Sequence, residues 1–326
     1  MKNSLLLKKS GTYSHIESTM REYQTAFLGG TAFKNMVRKK RPSEDEKLHY
    51  DVVANTAALP VSRYVVDQIN DTVFSQPVHR DLEFCSPQGR EIEDELDWTE
   101  LVCYDADMNN QSMDQFMSGV GQLSSIFGHC WVFVDMPSVE QGTSGRPYVT
   151  TVNPLQVWDW HHTMVNGRYI PSHVKVCEYE DAHEYVFKCY YLGTVTDPSR
   201  WESYRVIKLQ SPDAEAEFIA EGKFPAGMSI PGFVAFTRRD PRFIDLGVSD
   251  IDAASDVQRE IYKLETEAYQ SVQFAKTLIR ADAGIKVPAH AGGIIRGPEG
   301  SVETMTVDTQ DVHTIIAKQQ DLLEGG

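Results

Sequence analysis

Between Asp250 and Lys276 the chain runs without a glycine or a proline, and no other stretch constrains the fold as much. Ile251, Ala254, Val257, Ile261, Leu264, Ala268, Val272 and Ala275 recur within it at spacings of three and four, the period of one helix face. Ser249 suits an N-cap, and Asp252 three residues on makes an approximate capping box. A helix over these residues is roughly 40 Å long, at ~1.5 Å per residue. That is longer than a helix in an ordinary globular core needs to be.

The charge along this helix is one-sided. Asp250, Asp252, Asp256, Glu260, Glu265 and Glu267 are opposed only by Arg259 and Lys263 until Lys276 at the end. Acids in the first turn and a base in the last suit the helix dipole, whose influence fades within a turn. Acids as far along as Glu267 therefore need another cause. Two readings stay open: a solvated face, or a surface that must not adhere to a polyanion.

The whole chain is acidic. Its 326 residues carry 47 acidic against 31 basic side chains, a formal net charge of −16. This argues against a surface built to grip DNA phosphates, which needs clustered Lys and Arg. The cysteines, Cys85, Cys103, Cys130, Cys177 and Cys189, are odd in number and include no C-x-x-C pair. They read as reduced, mostly buried thiols in a reducing compartment. The apolar core of the N-terminus is only Leu5-Leu6-Leu7, too short for a signal peptide, and no run approaches a membrane span. A cytoplasmic site of synthesis is expected.

Residues 1–48 are polar, with the basic run Lys34 to Arg41 followed by Pro42 and Glu44-Asp45-Glu46. They are expected as an arm, either solvated or in electrostatic contact with nucleic acid or a neighbouring subunit. Pro60 opens a predicted helix to Phe74, and a second is predicted from Ser112 to Phe127, with Gly128 as its C′ residue. Cys130 to Val134 is predicted as a buried strand. Strands are predicted at Tyr148–Val152, His173–Tyr179, Glu184–Leu192, Tyr204–Leu209 and Glu217–Ala220. Asn153-Pro154, Asn166-Gly167 and Asp197-Pro198-Ser199 mark turns between them. Helices followed by an antiparallel meander make the class α+β. After the long helix, Thr277-Leu278-Ile279 favours a strand. Ile294-Ile295-Arg296 and Val302–Val307 flank Gly297-Pro298-Glu299-Gly300 as a predicted hairpin, and a further helix is predicted from about Thr309.

Catalytic patterns are not found. No phosphate-binding loop and no G-x-G-x-x-G is present, and Gly142-Thr143-Ser144-Gly145 has the wrong spacing for a nucleophile elbow. Asp159, His161, His162 and Glu178 are the only conceivable metal ligands singled out. Adjacent strand residues such as His161 and His162 point to opposite faces, which is poor ligand spacing. Trp158 to His162 reads better as an anchor for a strand edge or an interface, and His129 as a structurally satisfied histidine. The expectation is no catalytic residue, no metal and no cofactor.

Several local patterns resemble tailed-bacteriophage portal proteins, in the same order along the chain. Val65-Val66-Asp67 leading to Phe74-Ser75-Gln76-Pro77-Val78 resembles the early wing helix and its aromatic-x-x-Pro turn. Ile126-Phe127-Gly128-His129-Cys130-Trp131-Val132 is similar to the helix–Gly–strand step of portal wings. Thr151-Val152-Asn153-Pro154 to Val157-Trp158-Asp159-Trp160 resembles the strand–Pro–Trp segment where the meander begins. Pro231-Gly232-Phe233-Val234, then Phe243-Ile244-Asp245-Leu246, then the long helix and a glycine-containing strand region, resembles the order wing, stem, clip.

The resemblance implies an arm over 1–48, a helical and antiparallel-β wing over 49–246, a first stem helix over 247–276, a small α/β clip over 277–311 and the start of a second stem helix over 312–326. Portals continue past that point, so the resemblance implies either a partial chain, the favoured expectation, or a departure from the family pattern at the C-terminus. The resemblance further implies a dodecameric ring at one capsid vertex of the virion, assembled in the host cytoplasm and without membrane contact. Such a ring is a channel for packaging and ejecting double-stranded DNA without sequence specificity. Its implied partners are the major capsid protein, the terminase large subunit and a head–tail adaptor. Asp256, Glu260, Lys263 and Glu267 become candidates to line the channel, and Arg296, Pro298 and Glu299 candidates for partner docking at the clip. The competing expectations are a hydrolase-type enzyme whose site is assembled from distant residues, and another virion structural or adaptor protein.

Overall fold

A computed structural model describes residues 1–40, 46–76, 78, 102–135, 147–194, 197–224, 228–236, 238–241, 246–275, 279–281 and 302–304. The chain forms two compact units, Met1–Arg21 with Val66–Asp250, and Glu22–Val65 with Ile251–Gly326. The class is α+β, as expected. Among the described residues, no helix is long and apolar enough to cross a membrane.

In the first unit, Ser112 caps the helix Met113–Phe127 through a full capping box with Gln115, and Gly128 ends it in the left-handed region at φ 83°. The strand β1 (Cys130–Asp135) follows directly. Its apolar run is continuous because both of its faces are covered. Cys130 and Val132 pack with Phe116 and Val120 of the helix. The alternate residue Phe133 stacks on Tyr190 at 4.9 Å between ring centroids. β1 lies between β2 (Tyr148–Val152) and β8 (Gly232–Ala235), both antiparallel to it.

A five-stranded antiparallel meander makes the second sheet: β3 (Val157–Val165), β4 (Arg168–Glu180), β5 (Glu184–Tyr191), β6 (Arg200–Ile207) and β7 (Glu217–Lys223), paired in sequence order. Asn166 and Gly167, at φ 51° and 76°, form the two-residue turn between β3 and β4. The Asp181 carboxylate accepts from the His183 and Glu184 N–H groups and fixes the next turn. The strands predicted between Cys130 and Ala220 are all present, most with shifted ends. β3 was expected only as a strand edge around Trp158–His162, since Asp159, His161 and His162 interrupt its apolar pattern, and the four-residue β8 was not predicted.

Residues 1–40, expected as part of a polar arm, instead form α1 (Asn3–Leu7), α2 (Gly11–Leu28) and α3 (Gly30–Val37). The cause is packing: Leu6, Tyr13, Met20, Ala26 and Phe33 are all buried. The first ten residues strap the five-stranded sheet. Asn3 and Ser4 N–H donate to the Ala214 and Pro212 carbonyls. The buried Lys175 of β4 donates its ammonium to the carbonyls of Leu5 and Lys8 at the end of α1. Ser10 N–H donates to Trp158 of β3. Burial lowers the Lys175 pKa, opposed by nearby Asp159.

The second unit contains the rest of α2, α3, α4 (Glu46–Asn55), the start of α5 (Val61–Val73) and the long helix Asp252–Ala275. The basic run of α3 is divided. Lys34 donates to the Val53 carbonyl, Arg38 is buried, and Lys39 and Lys40 are exposed. Numbering the helix Met113–Phe127 as α6, the long helix is α7. Two short strands beyond it, β9 (Ile279–Ala281) and β10 (Val302–Thr304), pair antiparallel. The hairpin predicted from Ile294–Arg296 and the helix from Thr309 lie outside the described residues.

Candidate functional site

α7 spans 24 residues, about 36 Å at ~1.5 Å per residue. It begins two residues later than expected: the Ile251 carbonyl accepts the first helical bond, from Ser255. Ser249 therefore lies before the N-cap position. Its buried hydroxyl reaches the Ser125 and Ile126 carbonyls at 3.0 and 2.7 Å, and Asp250 N–H donates to Ser125 as well. These are C-terminal carbonyls of α6, which lack partners within their own helix and sit where water cannot serve them. The approach is close enough to exclude side chains. A Cβ on Gly128 would lie 2.3 Å from the Gly247 carbonyl oxygen, and one on Gly247 would lie 1.7 Å from that of Gly128.

The inner face of α7 is fixed by packing and one amide. Gln258, Ile261, Tyr262 and Thr266 are buried. Tyr262 packs on Phe33 at 5.8 Å between ring centroids. Gln258 donates to the Ala26 carbonyl near the end of α2 and accepts from Ser62 N–H in the first turn of α5. It thereby satisfies two helix-terminal groups that have no partner in their own helices.

The outer face is charged. Asp252, Asp256, Glu260, Lys263 and Glu267 are all exposed and recur at spacings of four, four, three and four, so they form one stripe. All four helix candidates thus share a face, and Asp252, read from sequence only as part of a cap, joins them. Its carboxylate accepts from the Tyr23 hydroxyl at 2.6 Å. Asp256 pairs with Arg259, and Arg259 also reaches Glu22 at 3.4 Å. Lys263 pairs with Glu260. Glu267 has no ion-pair partner among the described residues. Exposed pairs of this kind contribute at most about 1 kcal/mol each. The stripe holds four acids against one lysine, and its surplus is negative. The remaining candidates, Arg296, Pro298 and Glu299, lie outside the described residues.

Asp159, His161, His162 and Glu178 do not converge. His161 lies 3.7 Å from Asp159. A register irregularity separates His161 from His162, and His162 stacks between Trp131 and Tyr169 instead. Glu178 approaches Lys188, which pairs with Asp135 at 3.0 Å and lies over the Trp201 ring. Among the described residues, no group of three or more His, Cys, Asp or Glu side chains is placed to hold a metal ion. His129 is buried behind Gly128. Burial raises the thiol pKa of Cys130 to about 12 and of Cys177 and Cys189 to about 11, so these cysteines are protonated and inert at neutral pH.

No protein-family model and no curated protein matches the chain. Solved assemblies that contain similar chains include two gene transfer agent particles. One is the neck of an empty gene transfer agent (GTA) particle computed with C6 symmetry, at a TM-score of 0.37 and 12% identity, covering 84% of this chain and 68% of the other. The other is the virion of a native gene transfer agent particle, at a TM-score of 0.35 and 11% identity, covering 93% and 72%. Likenesses at this level assign neither a fold nor a role.

Proposed function

We propose that this chain is a structural subunit of a tailed-phage-like particle, specifically a portal subunit that forms a dodecameric ring at the capsid vertex. The observation that carries the reading is the α7 stripe: a 24-residue helix with one face buried and the other surplus in acid. The order of sequence motifs that resemble portal wing, stem and clip supports it independently. In this reading α7 is the first stem helix, and β9 and β10 belong to the clip.

The physics of a DNA channel suits such a face. Duplex DNA carries a charge every ~1.7 Å of its axis, so a basic wall would hold it. An acidic wall repels it over roughly a Debye length, ~8 Å at physiological salt. Repeated around a ring, Asp256, Glu260 and Glu267 would keep the duplex sliding, while Lys263 offers brief contacts. The ring would conduct double-stranded DNA during packaging and ejection without reading its sequence. It would dock the terminase large subunit and then a head–tail adaptor at the clip, through Arg296, Pro298 and Glu299, and seat in the major capsid protein. Its place is the virion, after assembly in the host cytoplasm, and its role needs neither cofactor nor catalysis.

Replacing Asp256, Glu260 and Glu267 together with Lys tests the wall. The expected outcome is a folded protein that assembles normally but retains duplex DNA and packages or ejects it poorly. Unchanged packaging by a properly assembled triple variant would remove these residues from the channel.

A further inference from the structure

The β3–β4 hairpin projects past its sheet. β5 pairs with β4 from His173 onward, and Leu192 N–H reaches only as far as Ser172. Among the described residues, 162–165 and 168–171 therefore pair only with each other, as a two-stranded arm. An isolated pair of strands is marginal in water. This one is rooted by the stack of Tyr169 on His162 and His162 on Trp131, at 5.6 and 6.2 Å between ring centroids. On either side of the polar Asn166-Gly167 turn the arm exposes apolar side chains: Met164 is 66% exposed, Tyr169 49% and Val165 40%.

The same unit carries an apolar groove of about 220 Å³. Ile69, Val73 and Phe74 from the end of α5 form one wall, and Met117 and Gly121 of α6 the other, with Phe236 beyond β8. Phe74 lies so close to Gly121 that a Cβ there would meet its ring at 2.9 Å. Val73 stands on the rim, 65% exposed. Among the described residues, nothing covers either feature.

Charge links the two. Arg168 at the arm's tip and Asp71 beside the groove are exposed, and neither forms an ion pair among the described residues. From this complementarity we infer that the arm of one copy seats Met164 in the Val73–Phe74–Met117 groove of the next, with Arg168 brought to Asp71. A methionine suits an irregular apolar gap. Because arm and groove are different patches, the contact is heterologous, and repetition closes it into a ring when the rotation permits. The inference deepens the portal reading by naming an interface, and it rests on that reading for the closure of the ring.

Two measurements on the full chain decide it. With Val73→Cys and Met164→Cys combined, mild oxidation should give a reducible intermolecular ladder that neither single variant gives. Arg168→Glu and Asp71→Arg should each weaken self-association about tenfold, and together they should restore it. Melting curves control for folding, since all four side chains are exposed. Self-association without a ladder and without charge sensitivity would overturn the interface while leaving the ring intact. A ladder from open chains, never from closed rings, would support the interface and remove the ring. A protein that neither associates nor cross-links contradicts the interface outright.

Discussion

The five-stranded sheet and the outer face of α7 both carry many charges, yet they use them differently. On the sheet, charges are committed to structure. Arg205 pairs with Glu184 and Glu217 on the flanking strands, and Lys208 with Glu180. Lys188 pairs with Asp135 and lies over Trp201. Lys175 is buried to hold the N-terminal strap. On α7, the pairs Asp256–Arg259 and Glu260–Lys263 join near neighbours on one helix, and Glu267 has no ion-pair partner among the described residues. A sheet assembled from distant segments uses cross-strand pairs to fix register. A helix sets its own register, so the local pairs on α7 have no such role.

Predictions that strain this contrast differ in size. Gly128→Ala comes first. It places a Cβ on a left-handed residue 2.3 Å from a carbonyl oxygen. Left-handed strain and overpacking together should cost about 3 kcal/mol or more by chemical denaturation. Normal stability would mean that the α6 terminus and the segment before α7 do not approach as described.

Gln258→Leu is next. It leaves the Ala26 carbonyl and Ser62 N–H buried without their partner, a loss of about 2–4 kcal/mol. A change below about 0.5 kcal/mol would show that water replaces the amide.

Alkaline titration probes the first unit. The folded pKa values of Cys130, Cys177 and Cys189 lie above the ordinary thiol value of 9.0, so the folded state binds more protons above that pH. The stability they allow is whole below pH ~9 and is lost as pH rises through ~11–12, by about 1.4 kcal/mol per thiol at pH 10. Replacing Cys177 and Cys189 with Ala should flatten the fall between pH 9 and 11, and an unchanged slope would assign it to other groups.

The smallest effect is expected on the outer face of α7. Asp256→Lys, Glu260→Lys and Glu267→Lys should each move stability by less than about 0.5 kcal/mol, read by thermal melting. A large loss would make the acids structural and erase the contrast with the sheet.

Much of the fold was legible because it depends on periodicity. α5, α6, β1 and most of the meander follow apolar spacing, and Gly128 announced its turn. α2 was not legible. Tyr13 and Met20 are buried at helical spacing, but the residues between them are so polar that the stripe is faint. The strap was hidden for another reason: nothing local marks Lys175 as a buried lysine, since its partners are carbonyls some 170 positions away. At the α7 site, Asp256, Glu260, Lys263 and Glu267 could be named as candidates, but that all four are exposed on one face is read from the structure. The double use of Gln258 could not be named, because a glutamine among apolar residues does not reveal two distant helix ends.

The most direct test of the portal reading is the native mass of the assembled protein, measured alongside negative-stain images. A dodecameric mass and closed rings are the predicted result. A monomer at every concentration, with no ring in any field, would contradict the account.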